Sequence, residues 1–189
     1  MEVLYGEVNP SGHLPHTYPR SSVGLRTYDR TYSENQDRQG GMSGFDPLFA
    51  FGDGLSYTRF AYSDLTVTPD SAATDALEAG EEITVGVTVT NAGERRGKDV
   101  VQLYLSDLVA SVTPSVKELV RFSKVDLAPG ESRRLSFDLR AEDLSFVGRD
   151  GTPVVEPGTF RLRVDSLDVP LELRGERVST DAPSAGSVV

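Results

Sequence analysis

From Phe60 onward the chain alternates between apolar and polar positions. Glu82-Ile-Thr-Val-Gly-Val-Thr-Val-Thr sets Ile83, Val85, Val87 and Val89 on one face and mostly threonines on the other. Period two of this kind predicts a half-buried antiparallel strand. Arg134-Leu-Ser-Phe-Asp-Leu-Arg repeats the pattern, aiming Leu135, Phe137 and Leu139 inward. Asp99-Val-Val-Gln-Leu-Tyr-Leu-Ser differs: Val101, Leu103 and Leu105 form one face, but Val100 and Tyr104 make the other apolar too. Its outer face is therefore expected to be covered. Further strand segments begin at Phe60, Lys117, Ser123, Asp143, Thr159 and Val169, separated by turn chemistry such as Ala128-Pro-Gly-Glu and Gly148-Arg-Asp-Gly. About seven short strands with a turn signal every ten or so residues, and no helix-period stretch, predict a mainly β fold, an immunoglobulin-like β-sandwich.

The first 57 residues have a different texture. Pro10, Pro15, Pro19 and Pro47 each remove a backbone donor, and no periodicity is sustained. The stretch from about residue 20 to 44 reads as a long connector. Gly52 and Gly54 are expected to let the backbone bend while Phe49, Phe51 and Leu55 pack inward. Asn91 and Gly93 suit a tight, partly left-handed turn. Three parts follow: an irregular N-terminal extension over 1–57, the sandwich over 58–173, and a flexible tail over 174–189 rich in Ser, Ala, Gly and Pro.

Composition narrows the chemistry. The 189 residues include no cysteine, which excludes disulfides and thiolate chemistry. The formal net charge is −10, most of it on residues 58–173, where 13 Lys and Arg face 20 Asp and Glu. Such a surface disfavours nucleic acid and anionic lipid as partners. It suits a protein working in high salt, where the Debye length is short, with a merely acidic mesophilic domain as the alternative. No apolar run is long enough to span a membrane. The opening residues carry no leader motif, so the expected location is the cytoplasm by default. His13 and His16, separated by Leu14 and Pro15, are expected as two solvent-facing loop histidines rather than metal ligands. No catalytic, cofactor-binding or metal-binding residue is assigned. The acidic pairs Glu81-Glu82 and Glu142-Asp143 fall at strand ends and turns, and neighbours on a strand face opposite sides, so neither makes a catalytic pair.

Several segments, taken in order, resemble the C-terminal part of family 3 glycoside hydrolases. Gly6-Glu-Val-Asn-Pro-Ser-Gly-His-Leu-Pro-His-Thr-Tyr-Pro is similar to that family's G-x-x-N-P-S-G-x-L-P-x-T-x-P segment. Pro47-Leu-Phe-Ala-Phe-Gly-Asp-Gly-Leu-Ser-Tyr-Thr-Arg-Phe is similar to its PLFPFGxGLSYTxF segment. Val87-Thr-Val-Thr-Asn-Ala-Gly, Gly97-Lys-Asp-Val-Val-Gln-Leu-Tyr, Val116-Lys-Glu-Leu-Val-Arg-Phe, Leu127-Ala-Pro-Gly-Glu, Asp143-Leu-Ser-Phe and Val155-Glu-Pro-Gly-Thr-Phe continue in the family's order. Pro153 and the Asp165-Ser-Leu-Asp-Val-Pro segment depart from the family pattern, and Gly24-Leu-Arg-Thr-Tyr is a loose match to a loop used near the sugar.

The resemblance implies a fibronectin type III-like sandwich preceded by the end of an α/β sandwich domain, with Met1–Gly6 as the last turn of that domain's final helix. It also implies that the nucleophilic aspartate and the acid/base glutamate lie on chain preceding this segment, since retaining hydrolysis needs two carboxyls about 5 Å apart across the bond. The expected function is therefore an accessory, docking part of a β-glucosidase-like enzyme, inactive alone. Its partner would be the upstream catalytic portion, and exposed apolar residues near the N-terminus would favour self-association. A free-standing carbohydrate- or protein-binding module is the alternative; with no Trp and seven dispersed Tyr, it lacks an obvious stacking platform.

Overall fold

The computed structural model describes residues 2–20, 47–112 and 117–180. Its long strands are β1 (Phe60–Thr68), β3 (Ile83–Asn91), β4 (Gly97–Asp107), β5 (Glu118–Leu127), β6 (Ser132–Leu139), β9 (Gly158–Val164) and β10 (Leu167–Arg174). Short strands β2 (Ser71–Ala73), β7 (Phe146–Val147), β8 (Pro153–Val155) and β11 (Val178–Ser179) complete the set. The fold is a β-sandwich. One sheet runs β1-β3-β6 and the other β2-β10-β9-β4-β5, with a small β11-β8-β7 sheet formed from the chain's second half.

The alternation has the expected consequence. Ile83, Val85, Val87 and Val89 are each 0 % exposed. In β6, Phe137 and Leu139 are buried while Ser136 and Asp138 face out. Burying one such aliphatic side chain contributes about 1.5–3 kcal/mol, so β3 is a large part of what holds the sheet. Its other face is polar and cross-linked: Thr84 Oγ1 donates to Asp138 at 2.9 Å, and Arg134 donates to the Asp64 carbonyl and to Thr66. In the second sheet β9 pairs antiparallel with β10 (Phe160 opposite Leu171) and with β4 (Leu162 opposite Leu105). The doubly apolar β4 is covered as its sequence requires: Tyr104 is buried, with the Lys117 ammonium 4.5 Å from its ring centroid.

The structure adds what periodicity did not indicate. One short helix, α1 (Thr74–Glu78), follows β2, and a 3-10 turn over Ala141–Leu144 replaces the start of the strand expected at Asp143. The segments from Lys117 and Ser123 join in the single strand β5. Past Arg174, where a tail is expected, the chain forms β11 against β8, and Thr74 Oγ1 donates to the Glu176 carbonyl; residues 181–189 lie outside the described residues. Residues 2–6 form turns rather than a helix, closed by Gly6 N to Val3 O and Glu7 N to Glu2 O.

By their contacts the residues fall into two compact units, Met1–Ala61 with Thr90–Gln102 and Phe122–Arg133, and Tyr62–Val89 with Leu103–Arg121 and Arg134–Val189. The first is organised by Asn91, which is 0 % exposed. Its Oδ1 accepts from Thr58 Oγ1 (2.7 Å) and Gly93 N (3.1 Å), and its Nδ2 donates to the Arg95 and Leu127 carbonyls. All of the amide's capacity is used, as a buried polar group requires. Neither Asn91 nor Gly93 is left-handed, so the expected left-handed turn is corrected. Gly93 is needed for room: a Cβ there would run into the Thr58 hydroxyl.

Candidate docking site

Two N-terminal stretches meet in the first unit and form a cleft. Tyr18 and Phe49 make an isolated antiparallel bridge, as do His13 and Gly54. Leu14 N donates to Asp53 O (2.8 Å) and Gly52 N to Leu14 O (2.9 Å). Gly52, at φ 84, reverses the chain. Asn9 ties the next turn, its Oδ1 accepting from Tyr57 N at 2.7 Å and from the Ser56 hydroxyl. These bonds explain why two proline- and glycine-rich motifs so far apart in the chain act together.

The result is an apolar cleft of about 470 Å³ lined by Pro10, Leu14, Tyr18, Phe49, Asp53 and Leu55, among others. Phe49 is 46 % and Leu55 77 % exposed. They do not pack inward as expected; both line the cleft and stay exposed. Val3, Leu4 and Leu48 are also exposed. Large apolar side chains left exposed in this number are a common feature of surfaces that bind other molecules.

His13 lies between the lining residues Gly12 and Leu14 and corrects a second expectation. It is not a solvent-facing loop residue: its side chain is 22 % exposed and that of Asp99, on β4, 12 %. Its Nδ1 lies 2.6 Å from Gly52 O and its Nε2 3.5 Å from Asp99 Oδ1. Gly54 allows this, since a Cβ there would lie 3.1 Å from the imidazole ring. The hydrogen bond to Asp99 raises the His13 pKa above its ordinary value, more than burial lowers it, and the Gly52 carbonyl adds to the rise. His16 is exposed, as expected.

The acidic residues take structural roles. Asp143 accepts two hydrogen bonds from the Arg121 guanidinium and one from Arg140 N. Glu82 accepts from Arg140 Nε at 2.6 Å, and with Glu78 and Glu142 it lines a second, polar cleft in the second unit. Glu82 and Glu142, from different sequence pairs, thus share one cleft, which adjacency in sequence could not reveal. Arg140 engages Glu82 there. Among the described residues no group of three or more His, Asp or Glu is placed to hold a metal. The Gly24-Leu-Arg-Thr-Tyr segment lies outside the described residues.

Residues 99–167, from within β4 to the first residue of β10, match the fibronectin type III-like domain family. The chain is 45 % identical over 179 residues to the lysosomal beta glucosidase of Dictyostelium discoideum, covering 91 % of this chain and 21 % of that protein. It is 41 % identical over 168 residues to a beta-xylosidase of Formosa agariphila, covering 86 % of this chain and 22 % of that one. A β-glucosidase structure from Erythrobacter marinus superposes with a TM-score of 0.79 at 34 % identity, over 92 % of this chain and 23 % of that chain. The chain belongs to the family 3 glycoside hydrolases, as the C-terminal part of that architecture. It spans about a fifth of the length of the curated relatives it matches.

Proposed function

We propose that this chain is the non-catalytic accessory portion of a β-glucosidase-like enzyme, and that it docks on the catalytic polypeptide through the cleft at Leu14, Tyr18, Phe49 and Leu55. The observation that carries this reading is the contrast in exposure. A chain able to bury every apolar residue of β3 leaves Leu4, Phe49 and Leu55 bare in its N-terminal part. The proposed partner is the catalytic polypeptide that fills the rest of the relatives' length, and the proposed chemistry of the assembly is hydrolysis of β-glucosides or β-xylosides. The high negative charge fits work in concentrated salt. A sugar-binding role for the cleft is weaker: Tyr18 and Phe49 offer ring faces, but among the described residues only Asp53 brings a charge to the lining.

The test uses aryl β-glucosides and β-xylosides with the purified chain, then with the polypeptide encoded immediately upstream added. No turnover is expected from the chain alone, and binding to the upstream product should weaken at least tenfold in Leu55→Glu. Turnover by the pure chain, lost on Glu82→Gln or Glu142→Gln, would overturn the reading.

A further inference from the structure

We propose that His13 and Asp99 form a proton-dependent clasp that sets the shape of the docking cleft, closing it when His13 is protonated and loosening it when the proton leaves. The inference rests on the docking reading for its purpose but not for its chemistry. The geometry carries it. Both ring nitrogens of His13 face oxygen acceptors, the Gly52 carbonyl at 2.6 Å and the Asp99 carboxylate at 3.5 Å. A neutral imidazole has one N–H and can donate to only one of them; the imidazolium donates to both. When neutral, with its proton kept on Nδ1, the ring presents a lone pair to the carboxylate, and attraction turns to repulsion.

The consequence is local because of where the ring sits. His13 lies between the cleft residues Gly12 and Leu14, and its acceptor Gly52 adjoins the cleft residues Asp53 and Gly54. Next to the ring the two strips are joined by Leu14 N to Asp53 O and Gly52 N to Leu14 O, and the ring lies close against Gly54 between them. Among the described residues, the charged groups acting on His13 are Asp99, from β4, and Asp53, from the turn. Both are acidic, so both favour the protonated ring. The folded state thus holds the proton more tightly than the unfolded chain. The clasp is fully present below the ordinary histidine value of about 6.5 and is lost as pH rises through the higher folded value.

Amide hydrogen exchange on the isolated chain tests this directly. Between about pH 5.5 and 8.5, and after correction for intrinsic rates, protection of the Leu14 and Gly52 amides should fall several-fold as pH rises. Protection of the Val87 amide should stay level. His13→Gln, which keeps a donor without a titrating proton, should flatten the Leu14 and Gly52 profiles, and Asp99→Asn should shift the fall to lower pH. An NMR titration should place the His13 ring above about 6.5. Level Leu14 and Gly52 protection in the unmodified chain, or an unchanged fall in His13→Gln, overturns the clasp. Docking on the upstream polypeptide should be tighter at pH 5.5 than at 8.5. If docking fails at every pH while the two amides still titrate, the docking reading is lost and the clasp stands.

Discussion

The strand β3 and the segment around residues 47–57 are of similar length, and they are held by opposite means. β3 puts four aliphatic side chains at 0 % exposure and would keep most of its stability if its polar face were trimmed. The N-terminal segment exposes Leu48, Phe49 and Leu55 and relies on directed bonds: Asn9 to Ser56 and Tyr57, Leu14 to Asp53, and His13 to Gly52. Apolar burial is non-directional and scales with area. Hydrogen bonds contribute less each, but leaving a buried partner unmet costs more. One region tolerates loose geometry and no charge; the other tolerates exposure and little change in geometry.

The sharpest test of that contrast is a charge on each face of β3. Val87→Asp buries a carboxylate where exposure is 0 %, at an expected cost above about 4 kcal/mol, a large share of the roughly 5–15 kcal/mol that holds an ordinary domain. Thr88→Asp lies on the polar face, where Arg134 Nη1 already donates to the hydroxyl at 3.3 Å, and should change stability by less than about 1 kcal/mol. Urea melts followed by circular dichroism distinguish them. Equal midpoints would mean that β3 is not buried on one side.

Next in size is Asn91, the last residue of β3, which anchors the first unit by hydrogen bonds where the valines of the strand act by burial. Asn91→Ala strands the Thr58 hydroxyl, Gly93 N and the Leu127 carbonyl, an expected loss of roughly 2–4 kcal/mol. The damage should extend to the segment it does not touch, because Thr58 follows directly on the turn held by Asn9. Faster proteolysis within residues 47–57 would register this. If Asn91→Ala melts like the unmodified chain, the hydrogen-bonded hub carries no weight.

This division also decides what the sequence makes legible. The alternation in β3, β6 and β9 is a property of each strand alone, so strand faces and core can be read from the residues of one segment at a time. So can β4's two apolar faces, one of them completed by Tyr104 under Lys117. The cleft cannot. His13 finds Asp99 in a distant segment, and no pattern within either one announces it; in N-P-S-G-x-L-P the histidine takes the unspecified position. Gly54 reads as a bend, because a sequence shows a missing Cβ without showing the ring that takes its place. Glu82 and Glu142 read as neighbours of Glu81 and Asp143, whereas folding brings them together across elements instead.

The smallest expected effect concerns charge, and it separates the two regions once more. Net charge on residues 58–173 is negative by seven, and self-repulsion among exposed carboxylates opposes the compact state. Exposed pairs such as Arg96–Asp126 and Arg161–Asp168 pull the other way, but solvent-exposed pairs contribute little and salt screens them as well. The carboxylates are in excess over the cations, so repulsion is the larger quantity removed when 1 M KCl shortens the Debye length to about 3 Å. The thermal midpoint should therefore rise with KCl, by about 2–4 °C for each kcal/mol of repulsion relieved in a chain of this size. KCl is the right salt because sulfate would strengthen apolar burial on its own account. The half-buried His13–Asp99 contact is screened far less than a surface pair, so Leu14 protection at pH 5.5 should barely move over the same series. A midpoint that falls with KCl would show that attractive pairs dominate the sandwich surface, and it would remove the high-salt reading. A Leu14 amide that loses protection in step with added salt would show that the clasp is no more sheltered than the surface pairs around it.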